Sequence, residues 1–340
     1  MFTVIDCGTT NTRIFAVDKK GNITASGEMK VGTRDTSITG SKDKLRNGIN
    51  QLYSQVLEEC GLNREDMDFA IASGMITSEI GLAELPHLTA PVGMKDLTEG
   101  IVRFNDKEIL SLGCPVYFVR GVKNRETTEL TAGSLRYTDF MRGEEVQCMG
   151  ILEKEQINGP YNIVVLSSHT KNIYIDAENR IAASNTTISG QFYEALLNAT
   201  FLGSSVKSEE KEVKRYSKTE ILDLAVECTK AAGMGRTLLM TRFMQVLMET
   251  HSEERKLFLE SVIAADDMKA FEEMRSQGFD SGKYLLIGQP GRCELYEIML
   301  RKYFDPKAKI QILTDKKRIS ELTVAGSIAV AMQYVDEIKE

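Results

Sequence analysis

An acid, a glycine and two threonines stand together near the start of the chain, in the stretch DCGTTNTR (6–13). The flanking runs MFTVID and TRIFAVD are β-branched and partly alternating, which predicts that the stretch is the tip of a β-hairpin. Backbone N–H groups at such a tip converge on an anion, and Gly8 allows a phosphate to approach closely. Asp6 would repel a bare phosphate, so it suggests a divalent cation between the two. The tip indicates a Mg-nucleotide site, where Arg13 could add positive charge or pair with Asp6.

A second tip rich in hydroxyl groups is predicted in the other half of the chain, at LSSHTKN (166–172). It also carries His169 and Lys171, and two such tips could grip a triphosphate from both sides. Ordinary hairpins fit both stretches as well, with threonines as β-formers and His169 as a structural residue. On spacing alone these alternatives stay open.

A third stretch, DFMRGEEVQCMG (139–150), supplies candidate acids at a predicted helix start. Gly143 breaks the backbone there, and the helix dipole favours carboxylates in the first turn. Glu144 is the candidate general base, whereas Glu145 is expected to cap the helix or to occupy its first turn. Both glutamates could be ordinary first-turn acids, and which of them is the base stays open.

A fourth stretch, LLIGQPG (285–291), predicts a buried strand that ends in glycines and a proline before a helix. Such a turn could form the wall of a nucleoside pocket. In isolation it is only a turn between a strand and a helix.

The elements that must position these residues follow the order βββαβαβ in both halves of the chain. In the first half, Leu45, Ile49, Leu52 and Val56 predict the helix, and DFAIASG (68–74) predicts the strand after it. This repeated order predicts an α/β fold of mixed sheets with helices on both faces. A cleft between two such lobes is the default ligand site. The other predicted elements are strands at 115–121 and 161–169, a hairpin at 171–184, a helix at 191–203, several helices without defined bounds after it, a strand at 283–289, a helix at 293–304, a strand at 309–314 and a closing helix at 319–335.

Composition excludes several classes of protein. The 340 residues carry a formal net charge of −7 with interspersed charges, which does not suit a nucleic-acid surface. Six cysteines without a CxxC pair predict reduced thiols in the cytosol, and the start of the chain does not read as a signal peptide. No apolar run approaches the roughly 20 residues of a membrane span. A soluble, cytoplasmic protein is expected, for which a homodimer is allowed but not required.

Taken together, the stretches resemble the 2-dehydro-3-deoxygalactonokinase family of the sugar kinase/Hsp70/actin superfamily. DCGTTNTR is similar to that family's D-W-G-T-T-N-x-R, with Cys7 in the place of tryptophan. DFMRGEEVQCMG resembles D-V-M-R-G-E-E-T-Q-x-x-G and is the most specific match. ASGMITSEIGLAELPHL (72–88) resembles S-G-M-I-x-S followed by G-W-x-E-x-P-Y, with departures at Leu82 and His87.

The resemblance continues through the second half in the same order. VLSSHTKNIYID (165–176) is similar to L-P-G-T-H-S-K-W, with Ser167 and Ser168 in place of Gly-Thr and Asn172 in place of tryptophan. ISGQFYEALLNATFLG and LIGQP resemble T-G-E-x-(F/Y)-x-x-L and L-I-G-x-P. The altered tip bears on nucleotide preference, and the departures at positions 82 and 87 bear on the sugar pocket.

The resemblance implies two lobes of the ribonuclease-H-like (actin-like ATPase) fold, each a mixed five-stranded sheet with flanking helices. Residues 1–157 would form the N-terminal lobe and residues 158–340 the C-terminal lobe, with ATP and Mg²⁺ in the cleft. The implied reaction transfers the γ-phosphoryl group of ATP to the 6-hydroxyl of 2-dehydro-3-deoxy-galactonate. The alternatives are a kinase of another small sugar or sugar acid, such as 2-dehydro-3-deoxygluconate, and a non-catalytic ATP-binding protein of the same fold.

The resemblance also implies roles for individual residues. Asp6 would hold Mg²⁺, directly or through water, and Glu144 would be the catalytic base. Arg142 is the candidate partner of the substrate carboxylate, because a planar guanidinium binds a carboxylate in a bidentate way. Gly74, Met75 and Ser78 would line the sugar-acid pocket. The residues implied to contact the nucleotide or its phosphates are Asp6, Gly8, Thr9, Thr10, Asn11, Arg13, Ser168, Thr170, Lys171, Gly288, Gln289 and Pro290.

Overall fold

The computed structural model describes residues 1–104, 109–125, 131–207 and 214–339. The strands are β1 (Phe2–Cys7), β2 (Thr12–Val17), β3 (Ile23–Met29), β4 (Phe69–Gly74), β5 (Leu88–Thr89), β6 (Val102–Phe104), β7 (Val116–Phe118), β8 (Val122–Lys123), β9 (Phe140–Met141), β10 (Tyr161–Leu166), β11 (Thr170–Ile175), β12 (Ile181–Thr187), β13 (Lys283–Gly288) and β14 (Lys309–Leu313). The α-helices are α1 (Thr33–Thr39), α2 (Asp43–Glu59), α3 (Met94–Glu99), α4 (Glu144–Lys154), α5 (Ser189–Ala199), α6 (Leu202–Ser205), α7 (Lys218–Val246), α8 (Ser252–Ser276), α9 (Pro290–Met299) and α10 (Lys316–Lys339).

The first sheet has the strand order β3-β2-β1-β4-β7-β6. Strand β1 pairs antiparallel with β2 and parallel with β4, so Asp6 lies opposite Arg13 on one side and Ser73 on the other. Every residue of β1 except Asp6 is buried, as expected for an apolar strand in the middle of a sheet. The Asp6 side chain is therefore positioned by a buried strand that is paired with a neighbouring strand on each side.

The second sheet has the order β12-β11-β10-β13-β14, which repeats the order of the first five strands of the first sheet. Strands β10, β13 and β14 run parallel to one another. The repeat predicted from the sequence is therefore confirmed. The first sheet has one strand more than predicted, because β6 pairs with the edge strand β7, and the short strands β5, β8 and β9 form a third sheet.

Contacts within the chain define two compact units, which we describe separately. One contains Met1–Pro160, Ile175–Ser184 and Asp315–Glu340, and the other contains Tyr161–Tyr174 and Asn185–Thr314. We call them the first and the second unit. The predicted assignment of functions to lobes at 1–157 and 158–340 stays a prediction.

The core of the first unit lies between its sheet and α2. The buried residues of α2 include Leu45, Ile49, Leu52 and Val56, so the predicted apolar face of this helix is confirmed. In the second unit, residues of β10 and β13 pack with α8 and α9 in one apolar cluster. The predicted hairpin at 171–184 is present as β11 and β12.

Helix α10 packs against α4 in the first unit, and the two backbones approach closely. A Cβ atom added to Gly150 would lie 1.9 Å from the carbonyl oxygen of Leu322, and one added to Gly326 would lie 1.8 Å from that of Val146. Only glycine fits at these two positions. The first residue of α4 is Glu144, so α10 supports the helix that carries the candidate base.

Candidate active site

The first hairpin tip is a tight turn in which the N–H of Gly8 donates to the carbonyl of Asn11 at 2.9 Å. The carbonyls of Gly8 and Thr9 accept hydrogen bonds from the N–H groups of Thr33 and Arg34, at the start of α1. Among the described residues, the N–H groups of Thr9 and Thr10 find no acceptor, and both residues are exposed. The N–H groups at the start of helix α1 thus bind the carbonyl groups of the tip. The N–H groups of Thr9 and Thr10 are left to solvent or a ligand.

Asp6 lies below this tip, in a cluster of charges. Nη1 of Arg13 is 3.4 Å from Oδ2 of Asp6, and Nη2 of Arg13 is 3.3 Å from Oε1 of Glu28. Nδ2 of Asn11 donates to the same Glu28 oxygen at 2.9 Å. Burial raises the pKa of Asp6 and Arg13 opposes that rise, while the negative charges of Glu144 and Glu28 add to it. Asp6 and Glu144 therefore interact electrostatically.

Two glycines allow the segments that carry Asp6 and Glu144 to approach each other. Gly74 ends β4 with φ +86°, and a Cβ there would lie 2.5 Å from the carbonyl oxygen of Cys7. Gly143 precedes α4 with φ +105°, and its Cβ would lie 3.4 Å from the Cα of Gly74. The ends of β1 and β4 and the start of α4 therefore meet at positions that favour glycine.

The two glutamates at the start of α4 have different environments. Glu145 is fully buried, and both of its oxygens accept from the N–H of Gly143, at 2.9 and 2.7 Å. Burial raises the pKa of Glu145 to about 8. Glu144 is partly exposed, whereas Glu145 is not accessible to solvent.

Arg142 is held by neighbouring residues of the first unit. Its Nη1 donates to Oγ1 of Thr77 at 2.8 Å and its Nη2 to the carbonyl of Leu85 at 2.6 Å. Ser78 is buried, and its hydroxyl donates to the carbonyl of Met75 at 2.7 Å. The sugar-acid roles predicted for Arg142, Gly74, Met75 and Ser78 stay predictions. In the structure the Arg142 guanidinium and the Ser78 hydroxyl already have internal partners.

A second arginine, Arg120, forms hydrogen bonds to the loop before β5. Arg120 donates to the carbonyls of Pro86 and His87, at 2.7 and 3.2 Å. The ring of His87 lies 5.1 Å from that of Phe140, and burial together with nearby cations lowers its pKa to about 4. His87 is therefore uncharged at neutral pH.

The second hairpin tip lies in the second unit and is closed by hydrogen bonds of its own. The N–H of Ser167 donates to the carbonyl of His169 at 3.0 Å, and the carbonyl of Ser168 accepts from the N–H of Gln191, in α5, at 2.8 Å. Lys171, predicted to meet phosphates, is only 5% exposed, and its Nζ donates to Oγ1 of Thr186 at 2.6 Å. This contact turns its ammonium group toward a hydroxyl of the protein.

Next to this tip is a cavity of about 380 Å³ between α5, α8 and α9. Gln289, one of the residues predicted to border a nucleoside, lines it, while Gly288 and Pro290 lie next to Gln289 at the end of β13 and the start of α9. The lining residues are Ser189, Gly190, Tyr193, Lys256, Glu260, Ile263, Gln289, Gly291, Arg292, Leu295 and Tyr296.

Comparison with known proteins identifies the family. The model of the 2-keto-3-deoxy-galactonokinase family matches residues 6–320, which include both tips and the start of α4. The chain belongs to this family. Membership of this family confirms the prediction that the protein is a phosphotransferase that uses ATP and acts on a sugar acid. No curated protein matches the chain significantly in sequence.

Solved structures confirm the predicted fold class of this 2-keto-3-deoxy-galactonokinase family member. A Sinorhizobium meliloti protein, described provisionally as a 2-dehydro-3-deoxygalactonokinase, shares 17% identity, with a TM-score of 0.73 over 97% of this chain and 96% of that one. A reductive activator for a corrinoid, iron-sulfur protein shares 11% identity, with a TM-score of 0.50 over 99% of this chain and 61% of that one. At these identities the likeness shows the fold alone.

Residues of the first unit fit the Mg²⁺ that a kinase of this family would use. Within the described ranges, no group of three or more His, Cys, Asp or Glu side chains is arranged to hold a metal ion. Magnesium in kinases is usually bound by one or two carboxylates, with phosphate oxygens and water as the other ligands. Asp6, whose pKa is raised by burial and by the charge of Glu144, suits that role, because a cation would relieve the crowding of negative charge.

Several residues at the second tip and the cavity were missed by sequence reasoning. Asp267 is buried in α8 and accepts hydrogen bonds from the hydroxyls of Ser189 and Tyr296. Arg292 contacts the tip directly. Arg292 follows the quoted stretch LLIGQPG by one residue, which is a signal that could have found it, whereas nothing in the sequence around Asp267 marks it.

The predictions about cysteines and about membrane spans can be compared with the described residues. All six cysteines are free thiols. No helix in the described ranges is both long enough and apolar enough to cross a membrane.

Proposed function

We propose that this protein transfers the γ-phosphoryl group of ATP to the 6-hydroxyl of 2-dehydro-3-deoxy-galactonate. The observation that carries the proposal is the meeting of β1, β4 and α4 at Gly74 and Gly143, which brings Asp6 and Glu144 into one electrostatic environment. Phosphoryl transfer needs alignment and neutralisation of charge more than covalent help from the protein. The reaction requires one carboxylate that holds the metal ion and a second, accessible carboxylate that accepts the proton.

Each group has a distinct role in the proposed reaction. The free N–H groups and hydroxyls of Thr9 and Thr10 would bind phosphate oxygens at the first tip, and Asp6 would hold Mg²⁺, which neutralises phosphate charge. Glu144 would accept the proton of the attacking hydroxyl, a contribution of typically 10²- to 10⁴-fold. Glu145 is too buried to reach a substrate, and it holds the backbone of Gly143 in place.

The other nucleotide contacts are proposed in the second unit. Ser168 and Thr170 at the tip would meet phosphates, and Gln289 would border the adenosine in the adjacent cavity, which its place in the lining supports. We keep Gly288 and Pro290 in the same role because they flank Gln289. A cytosolic location and a homodimer remain predictions from the sequence.

The test is coupled ADP production with Mg-ATP and 2-dehydro-3-deoxy-galactonate. Reactions with 2-dehydro-3-deoxygluconate and without sugar run beside it. We expect turnover only with a sugar acid and a fall in kcat of at least about 100-fold in Glu144→Gln. Glu153→Gln, on the exposed part of the same helix, is the control and should keep full activity.

Each alternative has its own outcome. Turnover with 2-dehydro-3-deoxygluconate alone would change the assigned substrate and leave the proposed mechanism unchanged. ADP production without any sugar would favour an ATPase, and no turnover in any arm would favour a protein that only binds ATP.

A further inference from the structure

Arg292 occupies the first turn of α9 and reaches the second hairpin tip. Its Nη1 donates to the carbonyl of Ser167, and its Nη2 donates to Oγ1 of Thr170 at 2.7 Å. These two partners lie on either side of the turn. The guanidinium therefore bridges the tip.

A buried network fixes Arg292 in this position. Its guanidinium lies 5.6 Å from the centre of the Tyr296 ring, and the hydroxyl of Tyr296 donates to Asp267. The same hydroxyl is 3.3 Å from Oγ1 of Thr170, and Asp267 also accepts from Ser189 at 2.5 Å. Tyr296 and Asp267 are both almost fully buried. Such a satisfied network preorganises the side chain that it supports.

Arg292 also lines the cavity that contains Gln289. In the described part of the chain, no carboxylate oxygen lies within 4.0 Å of its guanidinium nitrogens, so its positive charge has no ion-pair partner there. The other cation of the lining, Lys256, is 4.0 Å from Glu260. Lys171, the cation of the tip itself, is bound to Thr186. Arg292 thus places a cation where the tip and the cavity adjoin.

We propose that Arg292 binds the nucleotide phosphate nearest the nucleoside, a phosphate contact that the family resemblance implies for Lys171. The inference rests on the proposed function, because it takes the cavity as the nucleoside site and the tip as a phosphate site. Two of its five N–H donors hold the tip, and the others are available for phosphate oxygens. Charge-assisted bonds of this kind are among the stronger hydrogen bonds in proteins.

The test is the affinity of Arg292→Met for adenosine, AMP and Mg-ADP, measured by isothermal titration calorimetry. We expect the affinities for AMP and Mg-ADP to fall about tenfold, the affinity for adenosine to stay within twofold, and Arg292→Lys to recover part of the loss. In steady-state assays the KM for ATP should rise while the KM for the sugar acid stays unchanged.

Arg301→Met is the matched control. Arg301 also bonds a backbone carbonyl, that of Ala308, and a side chain, Glu297, but it does not line the cavity. This variant should leave all three affinities unchanged. Thermal melting of each variant checks that it is folded, and Arg292→Lys serves if the Met variant is not.

Two outcomes would overturn the inference. An equal loss for adenosine and AMP would show that Arg292 shapes the cavity, and an unchanged AMP affinity would show that it does not touch that phosphate. If the wild-type protein phosphorylated no sugar acid, the proposed function would fail. The three affinities would still decide the role of Arg292.

Discussion

Glu144 and Glu145 are neighbours in the sequence, yet their surroundings give them different chemistry. Glu145 is fully buried with one N–H group as its donor, and its pKa is raised to about 8. Glu144 is partly exposed and lies near Asp6. Adjacent acids that differ in burial in this way can take different chemical roles. We expect Glu144 to exchange protons with the substrate and Glu145 to position the backbone.

The pH dependence of stability should report the burial of Glu145. Its pKa is about 8 in the folded state against an ordinary 4.5, so the folded protein holds a proton that the unfolded chain has lost between these pH values. This contribution to stability is present in full below pH 4.5 and is lost as pH rises through 8. From pH 5 to 8, the free energy of unfolding should fall by on the order of 3 kcal/mol more in the wild type than in Glu145→Gln.

Urea titrations at pH 5, 6.5 and 8 measure this difference. Glu153→Gln is the control, because Glu153 is half exposed on the same helix and pairs with Lys154. It should follow the wild type at every pH. Parallel curves for the wild type and Glu145→Gln would contradict the prediction.

The site could be predicted from the sequence only where a residue type is unusual for its place. Asp6 stands at the end of an apolar strand, and Gly143 interrupts a helix start, so both are visible in the sequence. The phosphate role of Lys171 is implied by the family resemblance and stays a prediction, and the contact of its Nζ with Thr186 is visible only in the structure. Asp267 lies within a long charged helix, and only the fold brings it to Tyr296. Contacts between distant segments cannot be read from local spacing.

Among the elements, α4 and α10 depend on each other most directly. A Cβ on Gly150 would lie 1.9 Å from the carbonyl oxygen of Leu322, a backbone atom that cannot move aside without shifting the helix. Gly150→Ala should therefore destabilise the protein by about 1–3 kcal/mol or more. Since α4 begins at Glu144, the same change should also lower kcat. Urea unfolding and the kinase assay measure the two effects.

Gly235→Ala is the control for this substitution. Gly235 lies in helix α7, and a Cβ there meets nothing within 4 Å. Gly235 lies two residues after the non-helical Gly233, so the gain in helix propensity from alanine is at most about 1 kcal/mol, and this variant should be as stable as the wild type or slightly more so. If Gly150→Ala were as stable as Gly235→Ala, the contact between α4 and α10 would be looser than described.

Periodicity predicted many of the strands and helices, because apolar spacing defines a buried strand or an amphipathic helix, but it gave no bounds for the two longest helices, α7 and α8. The hairpins, α2, β4 and the last strands and helices are of this kind. Helix α1 (TRDTSIT) carries few apolar residues, and it is stabilised by its contact with the first tip. Strands β5, β8 and β9 have two residues each, which is too short to show alternation. Long-range pairing forms these elements, so they could not be predicted from the local sequence.

At the scale of the whole molecule, the first unit is built from separate parts of the chain. Residues 1–160 supply its large sheet, and α10 covers α4 from the far end of the sequence. A fragment of residues 1–160 should therefore lack a cooperative unfolding transition. Adding a peptide of residues 315–339 should restore one. Circular dichroism during urea titration measures both.

A peptide of the same composition in scrambled order is the control and should restore nothing. Cooperative unfolding of the fragment alone, at the midpoint of the full chain, would contradict the prediction.

The pairing of α4 with α10 also sets the order of events during synthesis. The hydrogen bond between Gln147 and Thr323 joins residues 176 positions apart. At about 5–20 residues per second, a ribosome needs roughly 9–35 s to make the chain between them. Throughout that interval the residues of α4, which carry the candidate base, have been made and those of α10 have not. The ribosome therefore makes the candidate base early and the helix that supports its position late.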